Sequence, residues 1–418
     1  MLQTPRGLRL HIGLFGRRNV GKSSLVNTLT GYSMSIVSDV PGTTTDPVEK
    51  SFEMAPVGPV TFVDTAGIDD EGALGDLRKQ RTESIMERVD IVLLVCDETG
   101  LGAFEEDLLS RLKESETPVV VVFNKADLTE PSKEVLERFA AAEMDAVAVS
   151  SVSGRGVEPL KEAITRAVPD DRLEENRLAG DLVPAGSLAM LVVPIDLGAP
   201  TGRLILPQVQ VIREILDSDA MCITVKEREM TEALARLIQP PKLVICDSQV
   251  VLKVAADTPP SIPMTTFSIL MARFKADLVK LAKGAATIHS LKPGDRVLVA
   301  ETCLHDAICD DIGRVKIPRW LRQYVGGELQ IDFSAGRDLP EDLTPYSLVI
   351  QCGACMITRK HMLSWLYRAE RQGVPMTNYG VAISLLQGVL PRALECFPAA
   401  LSAYEREAAR TKEAHDAA

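Results

Sequence analysis

Nine consecutive residues near the N-terminus have the types and the spacing of a loop that binds phosphate. They match the pattern G-x-x-x-x-G-K-S plus the next serine, and they are Gly16, Arg17, Arg18, Asn19, Val20, Gly21, Lys22, Ser23 and Ser24. The two glycines let backbone N–H groups and the N-terminus of the next helix face a phosphate, while Lys22 adds positive charge and Ser23 a magnesium ligand. The loop follows an apolar strand and opens an apolar helix, as this motif requires. The sequence therefore predicts a nucleoside triphosphate site with Mg²⁺.

Two later segments are expected to complete this site. The segment D-T-A-G begins at Asp64, after an apolar strand, so that its carboxylate can hold a magnesium-bound water and the Gly67 N–H can meet the γ-phosphate. The segment N-K-x-D, with Asn124, Lys125 and Asp127, follows another apolar strand. The Asp127 carboxylate can accept hydrogen bonds from the ring N–H and the exocyclic amine of guanine, whereas adenine would leave it poorly paired. The predicted nucleotide is GTP, with GDP as its product.

These motifs resemble those of the TrmE, Era and EngA branch of the translation-factor-related GTPases, in the expected order between Leu8 and Arg172. Ser150 and Ser151 match the guanine loop S-A-x of that branch, with serine in place of alanine. The segment P-G-T-T-T-D matches its first switch, so the resemblance implies Thr44 as the second magnesium ligand. The catalytic set implied in this way is Lys22, Thr44, Asp64 and Gly67.

Two positions bear on the rate of hydrolysis. Ile68 follows the D-T-A-G segment, where Ras-like enzymes carry a glutamine that orients the attacking water, so we expect slow turnover. Asn19 matches the loop asparagine that helps to hold K⁺ in potassium-stimulated relatives. The resemblance implies that K⁺ supplies positive charge where an arginine finger otherwise acts. The alternative is that Asn19 only braces the loop.

Cysteines near the C-terminus form a second cluster of reactive side chains. Cys303 and His305 form a C-x-H segment and Cys352 and Cys355 a C-x-x-C segment, and each segment follows a predicted strand. If both strands are parallel, the two loops gather at one crevice of the sheet. Spacing alone leaves open structural zinc, an iron–sulfur cluster and a redox C-x-x-C. Four other cysteines are predicted to be small buried hydrophobes, namely Cys96, Cys222, Cys246 and Cys396.

The chain as a whole resembles the HydF family of GTPases that mature FeFe hydrogenase, because the C-x-H segment follows the GTPase motifs and precedes the C-x-x-C by 46 residues. This resemblance implies that Cys303, Cys352 and Cys355 hold a 4Fe-4S cluster on a domain that carries a diiron subcluster precursor. It also implies a homodimer, and contacts with the radical-SAM maturases HydE and HydG and with the hydrogenase. Many members have histidine where this chain has Gln351. The fourth iron position is therefore expected to be open or labile, with His305 as the candidate ligand.

The elements that must position these residues divide the chain into three α/β parts. Apolar strands alternate with helical stretches, which predicts a parallel sheet covered by helices on both faces. The predicted domains are a P-loop GTPase domain (1–172), a smaller α/β dimerisation domain (180–262) and a smaller α/β iron–sulfur domain (263–418). The Pro-rich segment Thr258–Pro263 marks the last boundary, after which one long helix is expected from Thr265 to Lys283. No internal repeat is apparent.

Composition narrows the class of protein. A net charge of −12 and a pI near 5.1 argue against broad contact with nucleic acid or anionic lipid. The apolar runs are shorter than the roughly 18 residues that span a bilayer, and the N-terminus leads directly into a strand. We therefore expect a cytoplasmic protein with no membrane or nucleic-acid partner. Two other functions are weighed: a switch GTPase in RNA modification or ribosome assembly, and a GTPase with a structural zinc domain.

Overall fold

The chain folds as two units that divide between Glu175 and Asn176. The computed structural model describes residues 9–17, 19–31, 48–64, 85–97, 101–115, 117–168, 177–195, 204–302, 311–336 and 338–416. Each unit has buried apolar clusters of its own. In the described part of the chain, no helix is both long enough and apolar enough to cross a membrane.

A six-stranded sheet forms the first unit, with its strands in the order β2-β3-β1-β4-β5-β6. The strands are β1 (Leu10–Phe15), β2 (Val48–Met54), β3 (Gly58–Asp64), β4 (Ile91–Cys96), β5 (Val119–Phe123) and β6 (Asp145–Ala148). Neighbouring strands are parallel except for β2, which pairs antiparallel with β3 and which the sequence analysis did not predict. Charged residues interrupt β2, so it lacks the continuous apolar run that marks the central strands.

Helices cover both faces of this sheet. The described helices are α1 (Lys22–Thr30), α2 (Ala103–Glu114), α3 (Lys133–Ala141) and α4 (Val157–Arg166). One apolar cluster joins α1 and α4 to the sheet, and a second joins α2 and α3 to it. The strands β1 and β4 are fully buried, as expected for strands that are covered on both sides.

The second unit contains two four-stranded parallel sheets, in the orders β10-β9-β7-β8 and β12-β11-β13-β14. Their strands are β7 (Leu188–Val192), β8 (Met221–Val225), β9 (Leu243–Cys246), β10 (Met264–Thr266), β11 (Arg296–Glu301), β12 (Gln330–Ala335), β13 (Leu348–Gln351) and β14 (Met376–Asn378). The helices are α5 (Leu206–Asp217), α6 (Met230–Arg236), α7 (Val251–Asp257), α8 (Phe267–Lys275), α9 (Leu278–Ala285), α10 (Ile317–Val325), α11 (Arg359–Arg371), α12 (Tyr379–Leu386), α13 (Leu390–Ala393) and α14 (Pro398–Asp416). The predicted fold class, a mostly parallel α/β sheet followed by two smaller α/β parts, is confirmed.

These two sheets repeat one arrangement, although no repeat was apparent in the sequence. In both, the first strand lies between the second and the third, and the fourth pairs with the third. The registers coincide, because Val192 pairs with Cys246 in one sheet where Ala300 pairs with Gln351 in the other. We term the copy built on β7 to β10 the middle repeat and the copy built on β11 to β14 the last repeat. The repetition lies in strand order and register, which many different apolar residues can satisfy, so it left little trace in residue identity.

Two expectations near the middle of the second unit differ from the structure. The strand Met264–Thr266 pairs with β9 and completes the sheet of the middle repeat, beyond the boundary expected at Pro263. The long helix expected from Thr265 to Lys283 is two helices, α8 and α9. Extended backbone at Ala276 ends α8, and the Asp277 side chain caps α9 by accepting from Lys280 N.

Candidate functional site

The glycine-rich loop joins β1 to α1 and is held closely against its neighbours. Gly16 and Gly21 have φ values of 141° and 92°. A side chain at Gly16 would place its Cβ 2.1 Å from the carbonyl oxygen of Val95, and one at Gly21 would place it 2.3 Å from Asn124 Nδ2. Both positions therefore require glycine. Lys22 is 7% exposed and its Nζ donates to the carbonyls of Gly16 and Arg17, so its charge is held inside the loop.

The hydroxyl and carboxylate that were predicted to serve magnesium lie together. Ser23 Oγ, at the start of α1, donates to Asp64 Oδ2 at the end of β3, over 3.0 Å. The parallel pairing of β1 with β3 brings the loop and this strand end to one edge of the sheet. Oxygen donors of this kind are those that Mg²⁺ prefers. The donor set thus fits a magnesium site.

Asn124 connects the three loops that were assigned to the nucleotide. Its Nδ2 donates to the carbonyl of Val20 in the phosphate loop over 2.8 Å, and its Oδ1 accepts from Ser151 N and Oγ at 3.2 and 2.8 Å. Thr28, on α1, donates to the carbonyl of Ser151 at 2.8 Å. Ser150 is fully buried, while Asp127 is exposed at the surface of its loop. Asn124 therefore braces the phosphate loop, and Asp127 is exposed to solvent.

A chain of ion pairs, which was not predicted from the sequence, links the phosphate loop to the loop that contains Asn124 and Asp127. Arg17 Nε donates to Glu105 Oε1 at 2.8 Å, and a second guanidinium nitrogen lies 3.7 Å from Asp97 Oδ1. Lys125 Nζ lies 3.6 Å from the other oxygen of Asp97. Glu105 is fully buried and also accepts from Gly102 N, which caps α2. The sequence signal for this contact was Glu105, at the third position of α2. A capping box normally begins with serine or threonine, and this helix is preceded by Gly102 instead.

Several predicted site residues lie outside the described residues. They are Arg18, Thr44, Gly67, Ile68, Cys303 and His305. The structure places the remaining phosphate-loop, magnesium and guanine residues at one edge of the first sheet.

The C-x-x-C segment follows β13, at the end of the central strands of the last repeat. Cys352 N donates to the carbonyl of Ala300 at 2.9 Å, so this segment continues from β13 alongside the end of β11. Cys352 Sγ accepts from Thr302 N at 3.3 Å, and Thr302 Oγ1 lies 3.3 Å from the same sulfur. Cys352 and Cys355 are half-buried, and a side chain added at Gly353 would meet nothing within 4 Å. Hydrogen bonds to sulfur and an open loop suit a thiolate that ligates a metal or a cluster.

Gln351 and Cys303 both bear on the predicted iron–sulfur site. Gln351 is 1% exposed, and its Oε1 accepts no hydrogen bond in the described part of the chain. Within those described residues, no three histidine, cysteine or acidic side chains form a group that could hold a metal ion. Cys303 lies outside the described residues.

The cysteines that were predicted as packing residues lie in apolar surroundings. Cys96 and Cys246 are fully buried, in β4 and β9, and Cys222 and Cys396 are half-buried. Burial raises the pKa of the Cys96 thiol to about 12 and that of Cys396 to about 11, and it also raises the pKa of Cys222 and Cys246. Burial disfavours the thiolate form of each of these cysteines, which suits a packing role.

Curated relatives match part of the chain. GTPase Der of Wolinella succinogenes is 40% identical over 167 residues, which cover 38% of this chain and 35% of that protein. The tRNA modification GTPase MnmE of Nitrosomonas europaea is 37% identical over 163 residues, which cover 38% of this chain and 34% of that protein. The chain thus spans about a third of the length of these relatives. Among solved structures, the G domain of the T. maritima FeoB iron transporter is 27% identical, with 38% of this chain and 99% of that chain covered and a TM-score of 0.32.

Family models match three successive parts of the chain. The model of the 50S ribosome-binding GTPase matches residues 11–125. The model of the hydrogen maturase F dimerization domain matches residues 178–276, and that of the hydrogen maturase F tetramerization domain matches residues 279–396. The last two coincide with the middle and last repeats and together cover just over half of the chain. With both of its domains present behind a matched GTPase domain, the chain belongs to the hydrogen maturase F family.

Proposed function

We propose that this protein hydrolyses GTP and carries a 4Fe-4S cluster, on which it receives a diiron precursor and passes it to FeFe hydrogenase. The observation that carries the proposal is Cys352, whose sulfur accepts from Thr302 N at the crevice of a hydrogen maturase F domain, in a chain whose first unit holds a phosphate loop. The hydrogenase and the radical-SAM maturases HydE and HydG are the proposed partners. The cytoplasm is the proposed compartment.

In the nucleotide site, each residue has a proposed task. Lys22 neutralises the β- and γ-phosphates, Ser23 and Thr44 ligate Mg²⁺, and Asp64 holds a magnesium-bound water. The Gly67 N–H contacts the γ-phosphate, and no glutamine follows to orient the attacking water, which makes hydrolysis slow. Such a rate suits a switch in which bound GTP changes the conformation of the chain and thereby regulates transfer of the precursor.

Asn124, Lys125 and Asp127 select guanine in the proposed site, with Ser150 and Ser151 in the adjoining loop. Asn124 acts through the loops it joins, since its side chain is bonded to Val20 and Ser151. Asp127 is the residue that reads the base, because its carboxylate is exposed. Residues 16–24 wrap the phosphates.

In the cluster site, Cys303, Cys352 and Cys355 are the proposed ligands. A cluster held by these residues would supply an iron that can bind an incoming metal precursor. The fourth position is proposed to be labile, with His305 as an exchangeable ligand, because Gln351 is a poor ligand for iron. Thr302 holds Cys352 in place through its N–H.

Metal analysis of the intact protein tests this proposal. After anaerobic reconstitution with iron and sulfide, we expect about four irons and four sulfides per chain, as in a 4Fe-4S cluster. Stoichiometric zinc without iron would contradict the cluster and favour a structural zinc domain. A protein that retains neither metal, but binds RNA at physiological salt, would instead favour the switch GTPase in RNA modification.

We propose that Asn19 helps to hold a potassium ion beside the phosphates. Asn19 lies on the loop at a left-handed φ of 63° with an exposed side chain, three residues before Lys22. A cation there stabilises the charge of the transition state, so turnover in K⁺ is expected to exceed turnover in Na⁺ by about tenfold. Asn19→Ala should abolish this difference between the two salts. Phosphate release from GTP, measured in K⁺ and in Na⁺, tests the proposal. Equal rates of the wild type in the two salts would contradict it.

We propose that the chain forms a homodimer through β8. This strand lies at the edge of the described sheet in the domain that matches the dimerization model, where β7 is its one described neighbour. Met221 on β8 and Leu216 on α5 are about half exposed beside that edge. Met221→Asp should shift the protein from dimer to monomer in sedimentation at micromolar concentration, because it puts a charge into the interface. Leu252→Asp, on α7, is the matched control and should remain dimeric, whereas a monomeric wild type would contradict the proposal.

A further inference from the structure

A buried carboxylate lies one residue before Thr302, the residue whose N–H donates to Cys352 in the last repeat. Glu301 ends β11 and is only 4% exposed. Its Oε2 accepts from Arg314 Nε at 3.1 Å, and its Oε1 accepts from the Tyr379 hydroxyl at 3.2 Å. A buried carboxylate needs such partners, since its charge is otherwise costly to remove from water. We term Glu301, Arg314 and Tyr379 the carboxylate network.

Thr302 connects this network to Cys352, the proposed cluster ligand. Thr302, which follows Glu301, provides the N–H that Cys352 Sγ accepts. Burial, together with the negative charges of Cys352 and Glu301, raises the pKa of Tyr379 far above its ordinary value. The tyrosine hydroxyl is therefore the donor of the hydrogen bond to Glu301.

The backbone beside the network is shaped to leave room for it. Gly313, in the turn before α10, faces the Tyr379 hydroxyl and Glu301 Oε1. A side chain there would place its Cβ 2.1 Å from the hydroxyl and 2.5 Å from the carboxylate oxygen. The Asp311 side chain fixes this turn by accepting from Arg314 N at 2.8 Å.

The middle repeat shows that the fold does not need this network. By the shared register, Glu301 corresponds to Val193 and Tyr379 to Phe267. Both of these apolar residues pack into the core of the second unit. The same register replaces Cys352 by Asp247. Among the described residues, the polar network thus occurs in the repeat that has the C-x-x-C segment and is absent from the repeat that lacks this segment.

We infer that the carboxylate network sets the reduction potential of the cluster held at Cys352, with Glu301 lowering it and Arg314 offsetting part of that effect. The inference rests on the proposed cluster. One-electron reduction adds negative charge to the cluster, and a buried carboxylate nearby opposes that charge more strongly than it would in water. A guanidinium favours the added charge. Glu301 and Arg314 are not ligands in this inference. They act through their electric field at the cluster and through the position of Thr302.

The test is a redox titration of the reconstituted protein, with dithionite as the electron donor, mediators, and electron paramagnetic resonance of the reduced cluster. Glu301→Gln should raise the equilibrium constant of reduction by about tenfold, which is about 59 mV for one electron. Arg314→Gln should lower it by about threefold, since it leaves the carboxylate uncompensated. Tyr379→Phe, which introduces the residue of the middle repeat, should lower it by less.

The matched control is Asp332→Asn on β12, because this carboxylate pairs with Arg296 at the opposite end of β11 from Glu301. Asp332 forms a 2.7 Å pair with Arg296, so its loss also breaks an ion pair on this strand but far from the crevice. Its potential should equal that of the wild type. Thermal unfolding and iron content are measured for every variant to detect loss of folding or loading.

The outcomes separate the inference from the function on which it rests. A wild type that takes up no iron defeats the proposed cluster. A loaded wild type whose potential is unchanged in Glu301→Gln, while unfolding shifts to lower temperature, would show that the network only fastens the turn before α10. If Glu301→Gln fails to load, Arg314→Gln decides alone, and an unchanged or raised potential in that variant overturns the inference.

Discussion

Cys352→Ser is expected to remove nearly all bound iron while GTP turnover stays within about twofold of the wild type. Serine preserves the size of the side chain, but its hydroxyl is a hard and weakly acidic ligand, whereas iron–sulfur clusters are held by thiolates. The N–H of Thr302 favours an anionic sulfur at this position, since a hydrogen bond to the charged form stabilises it. The measurements are iron and acid-labile sulfide per chain after anaerobic reconstitution, with phosphate release from GTP in the same samples.

Two variants control this experiment. Cys396→Ser replaces a half-buried thiol outside the crevice and should retain its iron. Lys22→Ala should give the opposite result, with GTP turnover lost and iron retained, because the two sites lie in units with separate cores. Full iron in Cys352→Ser would remove this residue from the ligand set. Loss of iron in Lys22→Ala would show that the two sites are coupled.

Asp127→Asn is expected to weaken GTP binding by on the order of a thousandfold or more, because a site built to pair with a base rejects a mismatched partner strongly. Asparagine presents an amide N–H₂ to the ring N–H or the exocyclic amine of guanine, which leaves donors facing donors. Xanthine carries a carbonyl in place of that amine, so the variant should bind XTP more tightly than GTP. Fluorescent nucleotide titration with GTP and XTP measures both affinities.

This substitution should cost little stability, since Asp127 is exposed and its loss breaks no buried contact. Glu130→Gln is the matched control, because it removes a carboxylate from the same loop that pairs with Arg155 at the surface. The control should bind GTP as the wild type does. If Asp127→Asn discriminates against XTP as strongly as the wild type, guanine is recognised by other residues.

The nucleotide motifs could be predicted from sequence because each is local. Gly16 and Gly21 are required by their own backbone angles, and Asp64 and Asp127 each follow a strand whose apolar run marks its end. The alternation of strands and helices likewise gave the α/β class, since parallel strands need helical crossovers. The edge strand β2 was missed, because a strand with alternating charge lacks that apolar run.

The contacts that hold these motifs together were decided by the tertiary structure. Glu105 meets Arg17 across 88 positions of chain, and Asn124 meets Val20 across 104, which no local pattern encodes. The strand β10 belongs to the middle repeat because its backbone pairs with β9, although a proline-rich segment precedes it.

The paired cysteines themselves were evident from their C-x-x-C spacing, but their surroundings were not. Glu301, Arg314 and Tyr379 lie far apart in sequence and have no motif, and they meet because β11 lies beside β13 and α12 follows β14. The middle repeat forms the same sheet without these residues. It could be recognised only from the strand order and register of the folded chain. The sequence by itself determined which residues can bind phosphate and metal, because that depends on their chemistry. The contacts among these residues were decided only by the tertiary structure, because they depend on distances that the folded backbone sets.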